Sequence, residues 1–172
     1  MSYIGIDLGA SRIRALLAGM GGAVIGAAEA HYGVSHPHEG WSEQDPQDWI
    51  AALEDVVGQL RAAHPEFIEL RGIGVAGHMH GATVLDGDDA VLRPCILWND
   101  MRSHQQAAAL DADPAFRDIS GNIVFPGFTA PKLEWMRANE PEVFAKVAKV
   151  LLPAACCLLD ALSDGRACGG YV

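Results

Sequence analysis

The chain has 172 residues, 50% of them apolar and 20% charged, with 12 Lys and Arg against 22 Asp and Glu for a formal net charge of −10. At ~150 residues per domain this suits one domain or one lobe of a larger protein, and the composition excludes disordered, collagen-like and low-complexity chains. So acidic a chain repels a polynucleotide backbone, so no nucleic acid is expected as a partner. A small phosphorylated ligand stays open, because a metal ion and backbone amides hold such a group locally.

No apolar run approaches the ~20 residues of a membrane span. Met1 to Asp7 lacks a basic leader and runs straight into strand-like sequence. The four cysteines, Cys95, Cys156, Cys157 and Cys168, are too few and too unevenly placed for a disulfide framework. The expectation is a protein of the reducing cytoplasm with no membrane partner.

Tyr3 to Leu8, Ile13 to Ala18 and Ala23 to Val34 read as strands joined by the tight turns Gly9-Ala10-Ser11 and Gly19-Met20-Gly21-Gly22. Short connections of this kind make an antiparallel start to a sheet. A polar connector from His36 to Gln44 leads to a helix that Asp45 caps and Pro46 opens, with Trp49, Leu53, Val56, Val57 and Leu60 on one face. Arg71 to Gly77 reads as a buried strand, and 82–86 with 90–98 as a hairpin around Gly87-Asp88-Asp89. Helices are expected over Arg102 to Leu110, Pro131 to Asn139 and after Pro141, with a last strand over Val147 to Leu152. From Ala154 the chain changes character and ends in Gly-rich sequence. The fold class is α/β, a mixed sheet with antiparallel N-terminal strands flanked by helices.

Three motifs carry chemistry. Asp7-Leu8-Gly9-Ala10-Ser11 puts a carboxylate at a strand end before a Gly turn, an arrangement that holds a metal-bound phosphate. Asp-x-Gly is equally an ordinary turn. Gly77-His78-Met79-His80-Gly81 follows a buried strand, where α/β sheets bind ligands. There His80 would hydrogen-bond a sugar hydroxyl and Met79 would pack on a carbon face. The competing readings are a turn histidine, or a metal pair together with His36-Pro37-His38, although no further ligand has zinc-like spacing.

Trp98-Asn99-Asp100-Met101-Arg102 mixes aromatic, amide, carboxylate and guanidinium groups suited to a polyol. Asp100 alone reads equally as a cap for the following helix. Lys132 reads as a solvent-facing or carboxylate-paired lysine. No serine lies in a nucleophile elbow and no Gly-x-x-x-x-Gly-Lys loop is present.

Tyr-Ile-Gly-Ile-Asp-Leu-Gly at 3–9, Gly-Trp-Ser-Glu-Gln-Asp-Pro at 40–46, Met-His-Gly-Ala at 79–82, Leu-Arg-Pro-Cys-Ile-Leu-Trp-Asn-Asp at 92–100, Pro-Gly-Phe-Thr-Ala-Pro-Lys-Leu at 126–133 and Lys-Val-Leu-Leu-Pro at 149–153 occur in one register. Together they resemble the N-terminal part of the FGGY carbohydrate kinases, in their xylulokinase branch. The resemblance implies a lobe of the actin-like, ribonuclease-H-like ATPase fold over 1–153. It also implies ATP and Mg²⁺ as cofactors, and phosphorylation of the terminal hydroxyl of D-xylulose or a related ketose. By the same resemblance Asp7 belongs to the phosphate and Mg²⁺ end, with Gly9, Ala10 and Ser11 as the phosphate turn. Met79 and His80 match the sugar-contacting pair, with Asn99 and Asp100 as further sugar-side candidates.

Ala10 and Arg12 stand where the family usually has Thr and Gly, and His78 where it has Gln. The family's catalytic Asp base lies in a second lobe beyond residue 172, so the 172-residue chain alone is expected to be inactive. Residues 154–172 read as a divergent, frameshifted tail: a back-translation of Ser163 to Val172 read one base later yields a Leu-Thr-Gly-Glu string like the family's continuation. The alternatives are a non-catalytic sugar-binding remnant and a kinase of a related sugar. A face built to close against another lobe is expected to leave apolar residues exposed and to promote association.

Overall fold

The computed structural model describes residues 1–157, so most of the divergent tail expected over 154–172, with the back-translated Ser163 to Val172, lies outside the described residues. Two compact units are present, and the chain passes between them more than once. The first holds residues 1–33, 47–78 and the described residues from 154; the second holds 34–46 and 79–153.

The first unit is built on strands β1 (Ser2–Leu8), β2 (Arg12–Gly19) and β3 (Val24–His31), with β4 (Leu70–Gly77) added from later in the chain. Their order is β3-β2-β1-β4; β1 runs antiparallel to β2 and parallel to β4. The two hairpins follow from the short turns, whereas the parallel pairing needs the crossover helix α1 (Pro46–Ala63). Alternation in β1 and β2 turns Ile4, Ile6, Leu8, Ile13, Ala15 and Leu17 inward. The helical face Trp49, Leu53, Val56, Val57 and Leu60 is buried as its spacing requires.

The opposite sheet face carries Tyr3, Gly5, Asp7, Arg14 and Leu16. It forms an open trough of about 810 Å³ over Gly5, Ala28, Gly74 and Ala76, with Tyr3 46% and Leu16 41% exposed.

The second unit contains two short antiparallel ribbons and three helices. β5 (Glu43–Gln44) pairs with β7 (Cys95–Ile96), and β6 (Thr83–Leu85) pairs with β8 (Lys149–Leu151). The turn at 86–90 forms as expected, with the Leu92 N–H on the Val84 carbonyl, but 90–98 is not one strand. Only Cys95 and Ile96 are extended, and their ladder partner lies in the segment expected as a connector. Helices α2 (His104–Asp111), α3 (Pro114–Ser120) and α4 (Thr129–Asn139) follow, then a short turn of helix over Pro141–Phe144. Ala82, Val84, Ile96 and Met136 are the buried centre of this unit, packed by Leu92, Leu133, Trp135, Phe144 and Val147.

Candidate functional site

In the second unit, Met79 and His80 leave the sheet on a loop closed by Gly81. A side-chain carbon at Gly81 would lie 2.5 Å from Pro153, so only glycine fits there. His80 itself has φ +61°, the left-handed region that a residue with a Cβ adopts at a cost. What holds it there is α4. The carbonyl of His80 accepts from the Lys132 ammonium at 2.7 Å and from the Thr129 hydroxyl at 3.3 Å, while Lys132 also donates to the Gly127 carbonyl at 2.7 Å.

Lys132 is 0% exposed, which corrects the expectation of a solvent-facing or carboxylate-paired lysine: its ammonium donates to two main-chain carbonyls. Burial pulls its ammonium down to about 8, against partial opposition from the charges of Cys95 and Asp100. His80 is also held below its ordinary range, first by desolvation and then by the Lys132 charge. The imidazole is therefore neutral at neutral pH, with one donor and one acceptor nitrogen.

The His80 ring packs against Phe128, centroids 4.6 Å apart, and Phe128 meets Phe125 edge to face at 5.7 Å. Met79 is 60% exposed beside His80. A side-chain carbon at Gly127 would stand 2.3 Å from the Trp98 carbonyl, so the 97–103 loop lies directly on the turn before α4. Ser103 ties the same loop down by donating to the Pro126 carbonyl at 2.9 Å. The His80 imidazole and the Phe128 ring thus share one surface, with the exposed Met79 next to His80 in the chain, residue types suited to a polyol.

Asn99 and Asp100, adjacent in sequence, part company. Asn99 is exposed and borders a hollow of about 410 Å³ with His36, His38 and Trp41. Asp100 is 0% exposed and its carboxylate is fully engaged by the chain itself. It accepts from the Ser42 N–H at 2.6 Å, the Arg102 N–H and Nε at 2.9 Å each, and Arg102 Nη2 at 2.7 Å. This corrects the reading of Asp100 as a cap for α2, whose flanking residue is Ser103; the buried carboxylate instead binds the chain's own donors.

Around it, Arg102 donates to Glu43 at 2.6 Å, and Arg93 bridges Glu43 and Glu140. Glu43, Arg93, Phe128 and Thr129 lie within the motifs at 40–46, 92–100 and 126–133, but sequence reasoning gave none of them an individual role.

The first unit holds the other candidate. Asp7 is exposed at the end of β1, opposite Arg14 on β2, but Arg14 Nε donates to Glu29 at 3.1 Å instead. No hydrogen bond or ion pair engages the Asp7 carboxylate among the described residues. The adjoining turn is closed by the Gly9 N–H on the Arg12 carbonyl at 2.9 Å. It is braced by the Tyr32 hydroxyl, which donates to the Gly9 carbonyl at 2.6 Å. Burial, with Cys157 and Asp7 nearby, drives the Tyr32 phenol upward, so it stays a donor.

Arg12 pairs in register with His31 and is not among the residues at positive φ, so glycine has no steric advantage there. Ala10 and Ser11 are exposed within the turn. An unpaired carboxylate beside an exposed turn fits a Mg²⁺ ion that takes its other ligands from phosphate and water. No group of three or more His, Cys, Asp or Glu among the described residues is placed to hold a metal by itself.

The profile described as the FGGY family of carbohydrate kinases, N-terminal domain, matches residues 2–164. The chain belongs to that family. The match runs past Pro153 into the segment expected to diverge. The xylulose kinase of Escherichia coli K12 is 47% identical over 152 residues, covering 88% of this chain and 31% of that protein. A crystal structure of a xyloylose kinase from Brucella ovis superimposes with a TM-score of 0.91 at 58% identity, over 92% of this chain and 34% of that one. The xylulose kinase from Rhodospirillum rubrum gives 0.85 at 31% identity, over 92% and 33%.

The chain therefore spans about a third of the length of the relatives it matches. Its α/β architecture with a mixed sheet is that of the actin-like ATPase fold shared by these kinases. No helix among the described residues is long and apolar enough to cross a membrane.

Proposed function

We propose that this chain supplies the ketose-holding and phosphate-facing side chains of a xylulokinase-type reaction, in which the terminal hydroxyl of D-xylulose or a close ketose takes a phosphoryl group from ATP. The observation that carries this reading is His80: an imidazole next to Met79 in the chain, at positive φ, backed by Phe128 and held through its carbonyl by a buried lysine. A neutral imidazole both donates to and accepts from vicinal hydroxyls, while Met79 and the phenylalanines offer apolar surface to the C–H face of a sugar.

Phosphoryl transfer is dominated by positioning and charge stabilisation, so side chains that fix the acceptor hydroxyl contribute directly to rate. Mg²⁺, when bound, neutralises phosphate charge, and Asp7 is the carboxylate that would hold it, with the 9–11 turn facing phosphate oxygens. Asp100 is not the proton acceptor, because both its oxygens are buried and engaged by Ser42 and Arg102. A reducing cytoplasm suits this reading, since the four cysteines are few and unevenly placed.

Titration calorimetry with D-xylulose tests the sugar side. The expected result is millimolar or tighter binding that His80→Ala weakens at least tenfold while circular dichroism stays unchanged. Absence of binding by the folded chain, or indifference to His80→Ala, would overturn the proposal.

A further inference from the structure

Lys132 is an unusual residue to find on the inward side of α4. Its side chain is fully buried, and its ammonium donates to two carbonyl oxygens, those of His80 and Gly127, each at 2.7 Å. No ion pair to Lys132 is found among the described residues. A buried ammonium without a touching carboxylate opposes folding unless its donors are used well. Here they are spent on His80, which with Asp89 is one of two non-glycine residues at positive φ among the described residues. A left-handed residue persists only where its surroundings over-determine it. Thr129, one turn earlier on α4, adds a second donor to the same His80 oxygen.

We infer that Lys132 is a positioning residue, whose ammonium clamps the main chain of His80 to the turn at Gly127 and so fixes the direction in which the imidazole meets the sugar. The inference rests on the proposed sugar-holding role of His80, but its structural core concerns the loop alone. A charge at Lys132 also faces the imidazole and lowers its proton affinity; Cys95, Asp100 and Arg102 are the other titratable or charged groups acting on that ammonium.

Nuclear magnetic resonance on the full 172-residue chain tests it. A residue at φ near +60° has its amide and α protons unusually close, so wild-type His80 is expected to give a strong intraresidue cross-relaxation peak. In Lys132→Met that peak should weaken, the His80 titration midpoint should rise, and D-xylulose should bind at least tenfold more weakly. A folded Lys132→Met whose His80 peak and midpoint match the wild type overturns the inference, whether or not sugar binds. Failure of wild-type chain to bind sugar, with the His80 peak still sensitive to Lys132, would instead sink the sugar reading and leave the clamp standing. Should Lys132→Met not fold, the wild-type ammonium decides. A slowly exchanging Nζ signal with a through-hydrogen-bond correlation to the His80 carbonyl carbon supports the clamp, and a signal exchanging as fast as surface lysines refutes it.

Discussion

The guanidinium of Arg102 lies 3.6 Å from the centre of the Trp41 ring while the same group donates to Asp100 and Glu43. Trp41 in turn meets Trp135 edge to face at 5.3 Å, so cation, carboxylates and indoles form one stack. Arg102 fits because a planar fork satisfies a carboxylate in its plane and an aromatic face above it, which a lysine does not do. The stack secures the 97–103 loop from beneath, leaving Trp98 and Asn99 exposed on it.

Asp100→Asn is accordingly expected to be severe. It keeps the shape but leaves the Arg102 charge buried against a weaker partner, and breaking a buried pair in this way costs about 3–5 kcal/mol. Urea unfolding should show the midpoint falling sharply for Asp100→Asn and similarly for Arg102→Lys. Together the two changes should cost much less than their sum, because each removes the same interaction. Additive losses would show that the pair acts independently.

Where local rules and the tertiary structure agree, the sequence was readable. Asp45-Pro46 followed by Trp49, Leu53, Val56, Val57 and Leu60 announces a helix start and a buried face, and α1 begins at Pro46 with that face inward. The same Asp-Pro signature at Asp113-Pro114 opens α3, with Asp113 accepting from the Ala115 N–H, yet it passed unread. Too little apolar periodicity follows it, and Ile119 is left 88% exposed. The two-residue strands β5 and β7 are too short for alternation to register, and their pairing joins Glu43 to Ile96 and Gln44 to Cys95, far apart in the chain. Lys132 and Asp100 were misjudged for a common reason. Lys132 bonds His80, 52 residues away, and the burial of Asp100 depends on Ser42, 58 residues away, as well as on the neighbouring Arg102.

The lowered proton affinity of Lys132 predicts a pH dependence with a definite sign. The unfolded chain binds this proton up to about 10.5, whereas the folded chain releases it at about 8. Between those values the unfolded state holds more protons, so stability attributable to Lys132 rises with pH across that window. Tyr32 acts in the opposite sense only above its ordinary value of 10, because its folded phenol is raised. Subtracting Lys132→Met from wild type in denaturant titrations should therefore expose a rise between pH 8 and 10. A flat difference would mean that Lys132 keeps an ordinary lysine's proton affinity.

Two glycines should respond to alanine with opposite signs. A Cβ at Gly127 meets the Trp98 carbonyl at 2.3 Å, and a main-chain atom cannot swing aside. Gly127→Ala should destabilise by about 1–3 kcal/mol through forced overpacking. Gly58 lies exposed inside α1 with nothing near its absent side chain. Gly58→Ala should stabilise by roughly 0.5–1 kcal/mol, since alanine loses less backbone freedom in a helix. Thermal melts of the two variants beside wild type check both signs.

The outer face of the four-stranded sheet gives the last prediction. Tyr3 and Leu16 stand exposed on it above a floor of Gly5, Ala28, Gly74 and Ala76, and only Asp7, Arg14 and Glu29 bring charge to the trough. A contiguous apolar surface of this kind takes up apolar dyes and promotes association. An environment-sensitive dye should fluoresce strongly with the wild-type chain. Leu16→Glu should reduce that signal several-fold and lower any concentration-dependent sedimentation, with the melting temperature little changed because residue 16 contacts solvent rather than the core. Equal dye uptake by Leu16→Glu and wild type would show that the sheet face is already covered in solution.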